Sequence, residues 1–276
     1  MHIRHLAIGL AGLLAGGCAA PQADRPLDTG APAPAAVEWA FEVRAALAPA
    51  RLREDANELD VLNTVAAVIT HDLKLPLPDK VLALAYTNDA SFAEALARRG
   101  ARPEQIPEMV ARTAALAAGT TILLRADRLA QQPLRARAGL YAHELTHVAQ
   151  GRLGRQVTTP LWLLEGHAEW VSRRVLHILE LGSYAGTRDD VRRQVATSPI
   201  PRERFPALQE LQTRAAWWDG TTRFGWTPTY GQAFLAVDWL VERHGEERLR
   251  KLLNGADLPD LYTYLTEFRA YLHALP

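Results

Sequence analysis

The sequence predicts an α+β fold with a small N-terminal β-sheet and a mainly helical C-terminal half. Two apolar runs, residues 81–87 (VLALAYT) and 120–125 (TTILLR), have the length and side-chain type of buried strands, and both lie in the first half of the chain. From residue 134 onward the apolar positions recur at helical spacing and no further strand pattern is found. Strands first and helices alone afterwards is the α+β order.

The 276 residues, 48% hydrophobic and 22% charged, supply enough apolar material for a sizeable core. This composition excludes collagenous, disordered and coiled-coil classes. The 31 basic residues balance 31 acidic ones, which argues against nucleic acid as a partner, because phosphate binding needs a basic surplus. A single cysteine excludes an intramolecular disulfide, a thiolate zinc finger and a redox pair, whereas nine histidines leave nitrogen and oxygen ligation of a metal open.

The chain opens with charged residues, runs apolar from Leu6 to Leu14 and exits through Ala15-Gly16-Gly17-Cys18. Residues 1–17 therefore read as a secretory signal peptide, the apolar run being too short for a membrane span. Cys18 stands where cleavage would leave it as the new amino terminus, and this resembles a bacterial lipobox, although Ala15 replaces the usual larger aliphatic residue. The resemblance implies a lipid anchor in a bacterial membrane at the cell envelope. Ala19 favours the outer membrane if the host has two, and secretion or a periplasmic location is the alternative. Residues 18–37, rich in Ala and Pro, read as a tether, and residues 38–276 as one folded domain.

Within that domain residues 38–47 and 51–73 look helical, with Leu59, Leu62, Val65, Ala66 and Ile69 along one face, and Pro76 and Pro78 end the region. After the first strand, residues 91–99 form a helix that Ser91 and Glu94 would open as a capping box. Helices follow the second strand over about 134–152 and 161–181. A polar stretch then leads through an aromatic segment at 217–230, and helices resume at 230–244, 246–254 and 259–275.

The chemistry concentrates in the first two helices of that second half. His143-Glu144-Leu145-Thr146-His147 is an H-E-x-x-H pattern. Residues four apart on a helix differ by about 40° in direction, so both imidazoles can face one ion, while Glu144 projects about 100° away and can act on a water without being a ligand. Eighteen positions after His147 stands Glu165, in the segment Trp162-Leu163-Leu164-Glu165-Gly166-His167-Ala168-Glu169-Trp170. A carboxylate on so apolar a helix needs a partner, and a metal held by His143, His147 and Glu165 supplies one while leaving a fourth position for water. Glu169, one turn on, can accept a hydrogen bond from the far nitrogen of a ligating histidine. Gly166 and Ala168 are small enough to let the two helices approach.

This pair of segments resembles the gluzincin branch of zinc metallopeptidases, and within it the bacterial peptidase-MA-like domains with their W-L-x-E-G-x-A-E block. The resemblance runs over roughly residues 81–253 and includes the later Tyr230-Gly231-Gln232-Ala233-Phe234 segment through His244-Gly245. It implies a zincin-like fold, Zn2+ as cofactor, a peptide or protein substrate, His143, His147 and Glu165 as ligands, Glu144 as general base and Glu169 as the partner of a ligand. The G-x-M-E-N segment of the aminopeptidase members is absent, so exopeptidase specificity is not implied. In such enzymes an edge strand pairs with extended substrate, and residues 120–125 are the candidate, with an ordinary core strand as the alternative.

Tyr230 is the candidate oxyanion donor, set against a tyrosine merely packed at a helix start. His167 points about 200° from Glu165 and reads as structural. Trp217, Trp218, Phe224 and Trp226 either line a cleft or cap the core. Two other functions fit the same residues: a lipid-anchored binding or assembly module with a structural or degenerate metal site, and a metal-dependent hydrolase of non-peptide amides.

Overall fold

A computed structural model describes residues 39–46, 51–154, 159–256 and 258–276. The signal peptide, Cys18 and the tether lie outside the described residues. The fold is α+β, with one four-stranded sheet in the first half and helices thereafter.

The sheet has the order β1 (Trp39–Val43), β2 (Val81–Tyr86), β4 (Thr121–Arg125), β3 (Ala115–Ala118). β1 runs antiparallel to β2, β2 parallel to β4, and β3 and β4 form an antiparallel hairpin turned at Gly119, whose φ of 63° suits a residue without a Cβ. Side chains alternate between two cores. Val81, Ala83, Ala85, Ala115, Ala117, Ile122 and Leu124 face the main core, and Tyr86, Leu116 and Leu123 face a smaller one with Phe92, Leu96, Met109 and Val110. The unbroken Ile122-Leu123-Leu124 run thus marks an interior strand covered on both faces.

The helices are α1 (Glu58–Ala67), α2 (Asp89–Arg98), α3 (Ile106–Arg112), the single turn α4 (Ala126–Leu129), α5 (Leu134–Arg152), α6 (Leu161–Ile178), α7 (Tyr184–Ala196), α8 (Arg214–Phe224), α9 (Gln232–Leu253) and α10 (Leu258–His273). α5 and α6 span nearly the predicted residues, and α9 breaks at Gly245 (φ 80°, ψ 163°), where two helices were expected.

Several expectations are corrected. The helix expected at 38–47 is strand β1: Trp39, Phe41 and Val43 alternate, and pairing with β2 decides over local propensity. The helix expected over 51–73 starts only at Glu58, where Asn57 caps it by accepting from the Asp60 N–H at 2.9 Å, and it widens into a π-turn at Val68–Asp72. Ser91 opens no capping box. Asn88 is the cap, accepting from the Ser91 N–H at 2.9 Å, and Glu94 pairs with Arg98 one turn on. α7 and α8 occupy the stretch read as polar and aromatic, opened by the caps Ser183 and Thr213. Strand β3, an alanine run of low strand propensity, carried no sequence signal.

Candidate metal centre

α5 lies against the sheet on one side and α6 on the other, so His143, Glu144 and His147 are all buried. Gly139 allows α6 close: Ser172 Oγ donates to its carbonyl at 2.8 Å, and a Cβ there would sit 3.4 Å from both Ser172 and Leu176. The small Gly166 serves a different contact from the one expected. A Cβ on Gly166 would lie 2.8 Å from the carbonyl carbon of Ala233 and closer still to its oxygen, so this glycine admits α9, not α5. α6 is therefore gripped from both sides, which fixes Glu165 relative to the histidines.

His143 Nε2 and His147 Nε2 are 3.0 Å apart, and Glu165 Oε2 lies 3.3 Å from the first and 3.6 Å from the second. These three atoms form the potential metal cluster found among the described residues. Tetrahedral ligands at about 2.0–2.1 Å from one ion stand about 3.3–3.4 Å apart, which is the mean edge of this triangle. The chemistry of the donors fits as well. Glu165 is fully buried, neither imidazole nitrogen is aligned to donate to it, and both of its oxygens lack a hydrogen-bond partner. An ion at the centre would relieve the desolvation of that carboxylate.

Charge within the cluster is tightly coupled. Burial alone would lower the His143 pKa, but Glu165 and Glu169 overcome it and raise the imidazole to about 10. Burial alone would raise Glu165, but His147 and His143 hold its carboxyl well below the usual range. Glu144 moves the other way: burial pushes it up despite the nearby histidines. Its Oε2 accepts from the Ala117 N–H of β3 at 2.6 Å, while Oε1 has no partner. A carboxylate beside the cluster, raised in pKa and with one oxygen open, is suited to proton transfer.

Glu169 stands where the spacing placed it, with Oε1 3.1 Å from His143 Nδ1, within charge-pairing distance though out of hydrogen-bond alignment. Arg173 secures it, donating to its Oε2 and, at 2.8 Å, to its carbonyl oxygen. The guanidinium lies 4.3 Å over the Phe234 ring and 5.7 Å from that of Trp226. Although burial alone would raise Glu169, Arg173 and His143 keep its carboxyl below the usual range.

Tyr230 sits on a π-turn, Thr227–Gly231, that leads into α9. Its buried ring is 6.4 Å from that of His143 and meets Trp217 edge-on at 4.8 Å. His167 lies outside the ligand triangle as expected. It stacks on Trp170 at 6.2 Å, and burial, then His147 and Arg250, lower its pKa to about 3, so it is neutral. Trp217 belongs to the core, Trp226 is half-buried over Arg173, Phe224 is half-buried beneath Arg223, and Trp218 donates to Glu108 at 2.9 Å, tying α8 to α3.

Strand β4 is interior, so the substrate-edge role considered for residues 120–125 does not fit it. The edge strands are β1 and β3, and the Ala117 N–H of the buried β3 points at Glu144. Three participants had been missed. Gln150, fully buried, faces His147 Nδ1 at 2.9 Å; its signal was its position one turn past His147 on the same helical face. Arg173 had the corresponding signal, one turn past Glu169. Ala117 had none, because it contributes only its backbone.

Residues 76–155 match the family model of the eCIS core domain. That family is related to zincin-like metallopeptidase folds. The match covers less than a third of the chain, from just before β2 to the end of α5; it includes His143, Glu144 and His147 and stops short of Glu165. Comparisons with curated proteins and with solved structures found no match.

Proposed function

We propose that the protein is a zinc metallopeptidase of the gluzincin type. The observation that carries the reading is the buried His143–His147–Glu165 triangle with Glu144 beside it, one carboxylate oxygen of that base lacking a partner. Two imidazoles and one carboxylate are a catalytic zinc set, and a structural site would need no base next to it. Zinc held by His143, His147 and Glu165 would supply a Lewis acid and would make a nearby water more acidic.

Glu144 Oε1 would take a proton from an attacking water, and the Ala117 N–H holds the other oxygen so that the carboxyl keeps its direction. The same carboxyl then delivers the proton to the leaving amine. Glu169, fixed by Arg173, orients His143. Tyr230, beside His143, would donate a hydrogen bond to the developing oxyanion. We further propose that Cys18 carries a lipid and places this chemistry at a bacterial membrane, the outer one where there are two. Among the described residues no helix is long and apolar enough to cross a membrane.

The complete burial of Glu144 and Glu165 favours a second reading, a lipid-anchored assembly module whose metal is structural. Cleavage of an unstructured protein mixture by the zinc-loaded chain and by Glu144→Gln separates the two. A peptidase loses cleavage about 10²–10⁴-fold while keeping its metal; equal behaviour of the two proteins supports the module.

A further inference from the structure

Gln150 makes three contacts from a position with no solvent exposure. Its Oε1 is 2.9 Å from His147 Nδ1, its Nε2 donates to the Leu164 carbonyl at 2.8 Å, and the same Nε2 is 3.1 Å from His167 Nδ1. A backbone carbonyl can only accept, so the side of the amide facing Leu164 must be the NH2. The carbonyl side of the amide then faces His147, and His147 Nδ1 must carry a proton to bond with it. A neutral imidazole protonated at Nδ1 has its lone pair on Nε2, the atom that faces His143 Nε2 and Glu165 Oε2. Turning the amide over would set oxygen against oxygen at Leu164 and an N–H against Nδ1. That arrangement would move the histidine proton to Nε2 and block the ligand position.

We infer that Gln150 is a positioning residue that selects the Nε2-ligating tautomer of His147, under instruction from the α6 backbone immediately before Glu165. The inference rests on the proposed metal centre and deepens it. It makes the two ligand-bearing helices interdependent. The backbone that carries Glu165 sets which nitrogen of His147 is available, and the second amide hydrogen, directed at His167 Nδ1, fixes that ring as the Nε2–H tautomer.

Long-range nitrogen–proton NMR correlation on histidine-labelled, metal-free wild-type chain reads the tautomer directly. His147 is expected to show a protonated Nδ1 and a bare Nε2, and the opposite pattern overturns the inference. Zinc affinity by chelator competition supplies the second arm. Gln150→Leu is expected to bind zinc about 10–100-fold more weakly and to lose the single-tautomer signature. Wild-type zinc affinity and an unchanged tautomer in Gln150→Leu would overturn the inference, and if that variant does not fold the wild-type spectrum still decides. Neither readout uses cleavage, so failure of the peptidase reading leaves this result distinguishable.

Discussion

Gly166→Ala tests the packing that holds the candidate metal centre together. Alanine is the better helix former by about 1 kcal/mol, so in an unpacked helix this change stabilises. Here the new methyl group would stand 2.8 Å from the Ala233 carbonyl carbon and closer still to its oxygen, so that backbone would have to retreat by more than about 0.6 Å to reach ordinary contact. The obstacle is backbone rather than a flexible side-chain tip, so the upper part of the usual overpacking cost of about 1–3 kcal/mol applies. Net of the propensity gain, about 1–2 kcal/mol of destabilisation remains. At about 2–4 °C per kcal/mol for a chain of this size, Tm should fall by about 2–8 °C. Thermal unfolding of the metal-free chain measures this without interference from ion binding. Because Gly166 adjoins Glu165 in the chain, zinc affinity should fall as well. An unchanged or raised Tm would refute the close α6–α9 approach and with it the argument for why α6 cannot shift.

Arg173→Met leaves Glu169 buried without its cation, so the metal-free protein should lose about 3–5 kcal/mol in chemical denaturation, and zinc affinity should fall about 10–100-fold as Glu169, the orienting partner of His143, loses its anchor; loss of stability with full zinc affinity would separate Arg173 from the centre. The Arg125 guanidinium, hydrogen-bonded to Asp127 at 2.7 and 2.9 Å, holds that carboxyl below its ordinary pKa. A depressed carboxylate contributes stability that is complete above its unfolded pKa of about 3.9 and is lost as pH falls through the lower folded value. Asp127→Asn should therefore be less stable than wild type at neutral pH, with the difference shrinking as pH drops below about 4, as denaturant titrations at several pH values would show.

The parts of the fold that could be read in the sequence are those where burial and period agree. β2 and β4 are covered on both faces and spell out continuous apolar runs, and α5 and α6 carry ligands at helical spacing between Pro133 and Pro160 and their C-terminal turns. β1 and β3 were hidden because their conformation is set by a neighbour. Trp39–Val43 is a strand because β2 lies beside it, and Ala115–Ala118 because Gly119 folds it back on β4. In the centre, His143, Glu144, His147, Glu165 and Glu169 were legible because their chemistry is tied to helical spacing. Gln150 and Arg173 obey the same spacing but belong to residue types common on helix surfaces, and only their complete or near-complete burial reveals them. Gly166 was noticed for its size and assigned to the wrong neighbour, since sequence shows that a helix must come close without showing which one.

In the proposed site two imidazoles and one carboxylate from α5 and α6 hold a single zinc ion. X-ray absorption at the zinc edge on the zinc-loaded chain, with Glu165→Ala as the comparison, tests it most directly. The prediction is one ion per chain with two imidazole nitrogens and oxygen donors at about 2.0–2.2 Å, and a much weaker or absent site in Glu165→Ala. Zinc bound equally well by both proteins, or a first shell without two imidazoles, would contradict it.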